Sequence, residues 1–216
     1  MKANRKKIAF VLAALAVQCL AIGWLIWRYE DVVQNGIEVR FKCSAYDPVD
    51  PFRGRYLRLS VVKECTNLLE RVDGQEWDTR SRHNQGLFAE LEELADGYWF
   101  VLAVADAPQG DSGIWIKPKR VQIEHAVRWG DRLDGESYDD FAKRREASPL
   151  IAMVSMPDQL FMNERLAPVA EDALREAVAQ EGKGAVAVYR VKDGEIVITD
   201  VEIDGKPVGA MAREKQ

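Results

Sequence analysis

A chain of 216 residues, 47% hydrophobic and 30% charged, has room for one large domain or two small ones. Its formal charge is −5, and four basic residues crowd its first seven positions, so the remainder is more acidic still and excludes a nucleic-acid binder of the usual basic kind. Most of the chain must be water-soluble, and one segment breaks that average.

Residues 8–27, IAFVLAALAVQCLAIGWLIW, carry no charge. As a helix they rise about 30 Å, enough to cross the hydrocarbon core of a lipid bilayer. Lys2, Arg5, Lys6 and Lys7 precede them, while Arg28, Glu30 and Asp31 follow with mixed sign. That bias predicts a cytoplasmic basic N-terminus at 1–7, a single-pass helix at 8–27 in the inner membrane, and everything beyond in the periplasm or outside. Trp24, Trp27 and Tyr29 fall where an interfacial aromatic belt sits. A cleaved signal peptide fits less well, because the small-residue pattern at Ala14-Leu15-Ala16 leaves almost no apolar run before it. Gln18, ahead of Cys19, is not the small residue that precedes a lipidated cysteine.

Residues 28–36 read as a juxtamembrane linker, 37–210 as an extracytoplasmic β-rich domain and 211–216 as a polar tail. IEVRFKC at 37–43 alternates, with Ile37, Val39, Phe41 and Cys43 on one face and Glu38, Arg40 and Lys42 on the other, which is a half-buried strand. RYLRLSVVKEC at 55–65 repeats the pattern, with Leu57, Leu59 and Val61 inward and Tyr56, Arg58 and Ser60 outward. Between the two, Pro51 pre-sets φ for a turn, Asp50 can accept backbone N–H bonds, and Gly54 suits the positive φ of a G1 bulge. A hairpin centred on Phe52 sets Cys43 opposite Val61 and Arg40 opposite Glu64. It leaves Cys65 roughly 13 Å further along the strand, beyond disulfide reach of Cys43, so two free thiols are expected.

GLFAELEELADG at 86–97 predicts a short helix ending near Gly97, and YWFVLAVADA at 98–107 a buried strand. IWIKPKRVQIEHAV at 114–127 predicts further strand, with Pro118 as an edge or bulge marker. Residues 129–147 form a polar insertion, loop or helix, and LIAMVSM at 150–156 another buried strand. NERLAPVAEDALREAVAQEGKG at 163–184 has a helical period, with Pro168 tolerated in the first turn and Gly182 placed to end it. AVAVYRVKDGEIVITDVEIDGKPV at 185–208 predicts two strands joined at Asp193-Gly194, with a second turn at Asp204-Gly205. The sum is a strand-rich α+β fold, mainly antiparallel hairpins with one or two helices, after a single N-terminal transmembrane helix.

GRYLRLSV at 54–61 resembles the motif of the GDYXXLXY family of bacterial membrane-anchored proteins of unknown function. Gly54, Tyr56 and Leu59 hold the family's positions; Arg55 stands where the family has Asp, and Val61 where it has the final Tyr. PVDPFRG at 48–54 is similar to the family's lead-in, and LFMNERLAPVAEDA and VYRVKDGEIVITDVEIDGKPV agree in style. The resemblance implies an extracytoplasmic domain on one membrane helix and a partner among integral membrane or envelope proteins. It implies no reaction.

The two histidines, His83 and His125, lie far apart, and no Cys-x-x-Cys or His-Glu-x-x-His spacing occurs, so neither a metal site nor a Ser-His-Asp triad is expected. The glycines are scattered, no phosphate-cradling loop is present, and no cofactor is expected. One enzymatic reading remains, a Ser-Lys hydrolase like the membrane-anchored signal peptidases. Ser44 would be its nucleophile and Lys117 (or Lys119) a base kept neutral by desolvation. The non-enzymatic reading rests on charge. Arg40 and Lys42 face outward from one strand, Tyr56 and Arg58 from the next, and Arg53 and Arg55 cluster at the turn. Together they form a candidate docking patch for phospholipid head groups or an acidic protein face. In the bland alternative, Arg40 pairs across the strands with Glu64.

Overall fold

Period-two alternation fills most of the sequence after residue 36, and strands are what it folds into. The computed structural model describes residues 2–45, 56–72, 74, 76–77, 79, 86–110, 113–163, 165–179 and 185–214. In chain order the elements are α1 (Lys2–Asn35), β1 (Ile37–Ala45), β2 (Tyr56–Ser60), β3 (Val62–Cys65), β4 (Phe88–Glu93), β5 (Trp99–Ala105), β6 (Ile114–Ile116) and β7 (Arg120–His125). Then follow α2 (Tyr138–Glu146), β8 (Leu150–Ser155), β9 (Gln159–Phe161), α3 (Ala167–Ala179), β10 (Ala185–Lys192), β11 (Glu195–Ile203), β12 (Lys206–Pro207) and α4 (Val208–Glu214).

Six strands in the order β12-β11-β10-β1-β2-β9 make the main sheet, and β3-β8-β7 and β5-β4-β6 make two smaller ones. The ladders between these strands are antiparallel. A single hydrophobic core draws on all three sheets, through residues such as Val39, Phe41, Val104, Ile123 and Val154. α3 buries Ala170, Ala173, Leu174 and Ala177, the i, i+3, i+4, i+7 stripe of an amphipathic helix. Three of those four are alanines, which let the helix axis approach the sheet closely.

The main sheet and the second sheet meet at a corner. β2 and β3 are one run of chain interrupted only at Val61; β8 and β9 are another, interrupted at residues 156–158. β2 pairs with β9 and β3 with β8, so both runs change sheets at the same place. Backbone bonds from Leu59 N to Asp158 O (2.9 Å) and from Met156 N to Val61 O (3.0 Å) hold the corner. Tyr189 reaches it from β10. Its hydroxyl donates to the Pro157 carbonyl at 2.7 Å, and its ring stands edge-on to Phe41 with centroids 5.8 Å apart. Tyr189 is fully buried, and burial pushes its phenol above the ordinary tyrosine range, so the hydroxyl remains a donor.

The expected β1–β2 register holds where the two strands pair: Ser44 lies opposite Ser60 and Ala45 opposite Leu59. The ladder ends there because the chain turns into the second sheet at Val61. Both Asp-Gly turns form, with positive φ at Asp193 (50°), Gly194 (82°), Asp204 (51°) and Gly205 (75°), the conformation of a type I′ hairpin turn. Cys43 and Cys65 are free thiols.

The structure differs from the sequence reading at four places. Residues 86–97 form no helix: β4 occupies Phe88–Glu93 and turns back at Gly97, whose φ is 79°. Ala89 and Leu91 point inward, and β4 is hydrogen-bonded on both sides, to β5 and β6, so tertiary pairing overrides the helix propensity of Ala, Leu and Glu. The run at 114–127 splits at residues 117–119 into β6 and β7, which belong to different sheets. Residues 28–35, read as a linker, continue α1. Pro207 is followed by α4, which the sequence reading did not anticipate.

Replacing Tyr189 with Phe keeps the ring but leaves the Pro157 carbonyl without its donor. It should cost about 1–2 kcal/mol, a fall of roughly 3–6 °C in Tm by thermal denaturation.

Candidate functional site

The apolar part of α1 is long enough to cross a membrane: its most apolar window has a mean hydropathy of 2.3 and no buried residue. The helix does not stop where the charges begin. RYEDVVQN continues it to Asn35 and places Arg28, Asp31 and Val32 on one side. Arg28 Nη2 meets Glu195 Oε1 at 2.7 Å, Lys192 Nζ meets Asp31 Oδ2 at 2.6 Å, and Val32 is buried at 4% exposure. Gly36 then lets the chain turn into β1. Its N–H donates to Val32 O at 2.9 Å, and the Arg190 guanidinium donates to its carbonyl at 3.1 Å. A Cβ here would overlap the Val32 carbonyl and lie 3.0 Å from Val191 N. The foot of α1 is therefore seated directly on the β10–β11 hairpin.

A groove runs along this junction in two contiguous parts. The first, of about 190 Å³, lies between Leu25, Arg28, Tyr29 and Val32 of α1 and Glu195 and Val197 of β11. The second, of about 280 Å³, lies between Tyr29, residues 196–198 of β11 and the corner at Pro157, Asp158, Gln159 and Phe161. Tyr29 and Val197 line both. Lys119 closes one side, its ammonium bonded to the Asp158 carboxylate. The motif strand is one strand away: Tyr56 pairs with Phe161, Leu57 with Leu160 and Arg58 with Gln159.

The residues singled out in the sequence are dispersed. Ser44 lies near the end of β1, opposite Ser60. Lys117 follows β6, where its N–H donates to Gly194 O at 2.8 Å and its ammonium sits 5.5 Å from the Phe88 ring centre. Gly194 is at the Ile37 end of the β1–β10 ladder, and Ser44 is seven residues further along β1, about 20 Å away at strand rise. The structure does not bring Ser44 and Lys117 together, and Lys119 is engaged by Asp158.

The docking patch is partly neutralised. Arg40 does not meet Glu64, because β10 rather than β3 lies beside it; it bonds Glu38 at 3.0 Å and Glu202 at 3.1 Å. The Glu38 carboxylate raises the Arg40 pKa. Glu64 instead holds Arg128 at 2.6 Å. Lys42 lies 3.8 Å from Asp96 and 4.4 Å from the Tyr98 ring centre. Leu59 is a buried core residue, and Tyr56 and Arg58 are described here by their backbone in β2. Asp50, Pro51, Arg53, Gly54 and Arg55 lie outside the described residues, as does His83. His125 Nδ1 stands 3.5 Å from Ser148 O, and no three acidic, histidine or cysteine side chains among the described residues are arranged to hold a metal.

Sequence reasoning passed over Lys63, although its parity with Val61 and Cys65 marks it as inward-facing. Its ammonium donates to the Lys42 carbonyl at 2.8 Å and lies 5.7 Å from the Phe41 ring centre. Burial draws its pKa below the ordinary lysine value, against the pull of Cys43. Burial also pushes the Cys43 thiol up to about 12, outweighing the nearby Lys63 charge, so the thiol is protonated and inert at neutral pH.

Two measurements follow from this geometry. Gly36→Ala should destabilise the protein by about 2 kcal/mol or more through overpacking, read as a lower Tm, while Gly23→Ala, with open space around it, should not. The raised Cys43 pKa makes the native state bind a proton that the unfolded chain releases above pH 9, so this stabilisation is complete below pH 9 and fades as pH rises towards 12. Tm should therefore fall more steeply over that window in the wild type than in Cys43→Ala, with Lys63 contributing an opposite slope to both.

The GDYXXLXY protein family matches residues 18–201, a span that takes in the lower half of α1, the motif strand β2, both walls of the groove and most of β11. No curated protein and no solved structure matches the chain. The foot of α1, the motif strand and most of the terminal hairpin fall within that match, and the chain belongs to the GDYXXLXY family.

Proposed function

We propose that this protein is a single-pass, membrane-anchored docking module. Its strand-rich domain faces the periplasm or cell exterior and binds or regulates another envelope component, a neighbouring integral membrane protein. The observation that carries this reading is the unbroken path of α1 from its uncharged run into the domain, fastened by Arg28–Glu195, Lys192–Asp31 and Val32. A flexible linker would let the domain roam and tumble. A helix seated on β10–β11 holds it at one attitude and one height, so less orientational freedom is lost when it meets a neighbour in the same membrane.

Each surface pair contributes little alone, on the order of 0–1 kcal/mol, because both members are solvated. Their value is directional: together with Val32 they fix the rotation of α1 against the hairpin. β2 is then held beside the membrane with the rest of the sheet, and Arg53, Arg55 and Arg58 of the motif stretch carry the positive charge that would meet an acidic partner face.

Placing a benzophenone amino acid at Arg58 in intact membranes and irradiating should give one dominant integral-membrane-protein adduct. The adduct should disappear when Arg53 and Arg55 are both changed to Glu. Scattered adducts, or an adduct indifferent to that charge reversal, would remove the docking role from this face.

A further inference from the structure

The groove at the foot of α1 has a property that docking on a protein does not require. Phe161 is 76% exposed, more than any other aromatic side chain described outside α1. It sits on the short strand β9 and lines the same groove as Tyr29, which is itself 54% exposed. Trp24 and Trp27, exposed at 56% and 65%, stand roughly one and a half turns and half a turn earlier on the same helix. Tyr29 is two residues past Trp27, the last residue of the uncharged run, so only about 3 Å of helix axis separates the end of that run from the groove.

We propose that this face of the domain, centred on Phe161 and Tyr29, seats on the interfacial layer of the bilayer that α1 crosses, with Phe161 entering the glycerol and upper acyl-chain region. The proposal rests on the reading of α1 as a membrane span. The polar layer on each side of a bilayer is about 5–7 Å thick, so a groove that begins about 3 Å beyond the apolar run lies inside it. Aromatic side chains concentrate at that depth. The attitude is fixed rather than free, because Arg28–Glu195 and Lys192–Asp31 hold β11 against α1, and Val197 of β11 lines the groove beside Tyr29. Continuity with the span is what selects lipid as the occupant: the groove opens beside Leu25 and Tyr29, on the surface of the helix that the bilayer must surround. The charged side chains at its rim, Arg28 and Lys119, are held by Glu195 and Asp158, leaving the apolar residues to make the contact.

The test uses the full chain in phosphatidylethanolamine–phosphatidylglycerol vesicles and in native membranes. A benzophenone amino acid replaces Phe161 in one variant and Val17, exposed within the apolar run, in another. Both positions are exposed, and matching thermal unfolding confirms that the fold is kept. Phospholipid adducts from position 161, in yield of the same order as from position 17, are the expected result. Lipid adducts from 17 with none from 161, or protein adducts alone from 161, would overturn the bilayer seating while leaving the anchor intact. An absence of lipid adducts from both would remove the span itself, and the seating with it. Phe161→Glu should lower the lipid contact of Tyr29, read by a second benzophenone placed at that position.

Discussion

The hydroxyl of Tyr189 and the carbonyl of Pro157 meet in the one part of the molecule where the strands cannot keep their ladders. Two runs of chain, β2–β3 and β8–β9, leave the main sheet together at Val61 and residues 156–158. A sheet can bend this sharply only by giving up backbone hydrogen bonds, and each polar group left unpaired in the interior costs free energy. Leu59, Val61, Met156 and Asp158 recover two of those bonds between themselves, and Tyr189 supplies a donor to the Pro157 carbonyl. Because Tyr189 is fully buried against Phe41, its hydroxyl sits where water competes little. The second sheet, the wall of the groove and the position of β9 all depend on that corner.

The other constraint is at the foot of α1. Gly36 permits a close approach that any Cβ would prevent, and it lets β1 begin one residue after the helix ends. Helix and strand are therefore joined by Gly36 alone. Without that approach, Val32 would lose its burial and the two ion pairs would lose their geometry, since exposed pairs gain too little to hold a helix in place by themselves. Packing fixes the position, and charge fixes the rotation.

Charge elsewhere in the domain is mostly spent within it. Arg40, Lys42, Lys119 and Arg128 each have a carboxylate within 4 Å, and Arg144 bonds Glu136 at 2.9 Å, holding that carboxyl down to about 2. Cys43 and Lys63 are shifted in opposite directions by the same cause, burial, which disfavours the thiolate of one and the ammonium of the other. The Cys43 shift keeps its thiol protonated. The described surface combines paired charges with a groove at the foot of α1.

The apolar helix, the alternation of β1 and β2, their register, the two Asp-Gly hairpins and α3 were legible in the sequence, because each depends on contacts between near neighbours or on a local φ. The strand at β4 was not, since AELEE favours a helix until strands on both sides claim its backbone groups. The separation of Ser44 from Lys117 was likewise hidden, because it depends on which end of the β1–β10 ladder receives residue 117. Arg40 was read with the right register and the wrong neighbour, because alternation records which face a residue takes and not where a ladder stops. The groove joins residues from positions 25–32, 119, 157–161 and 195–198. Local sequence determined which segments could be helix or strand and which side of each is apolar. Only the tertiary structure decided which of those sides were covered and left Phe161 and Tyr29 facing outward together, since burial is settled by long-range packing.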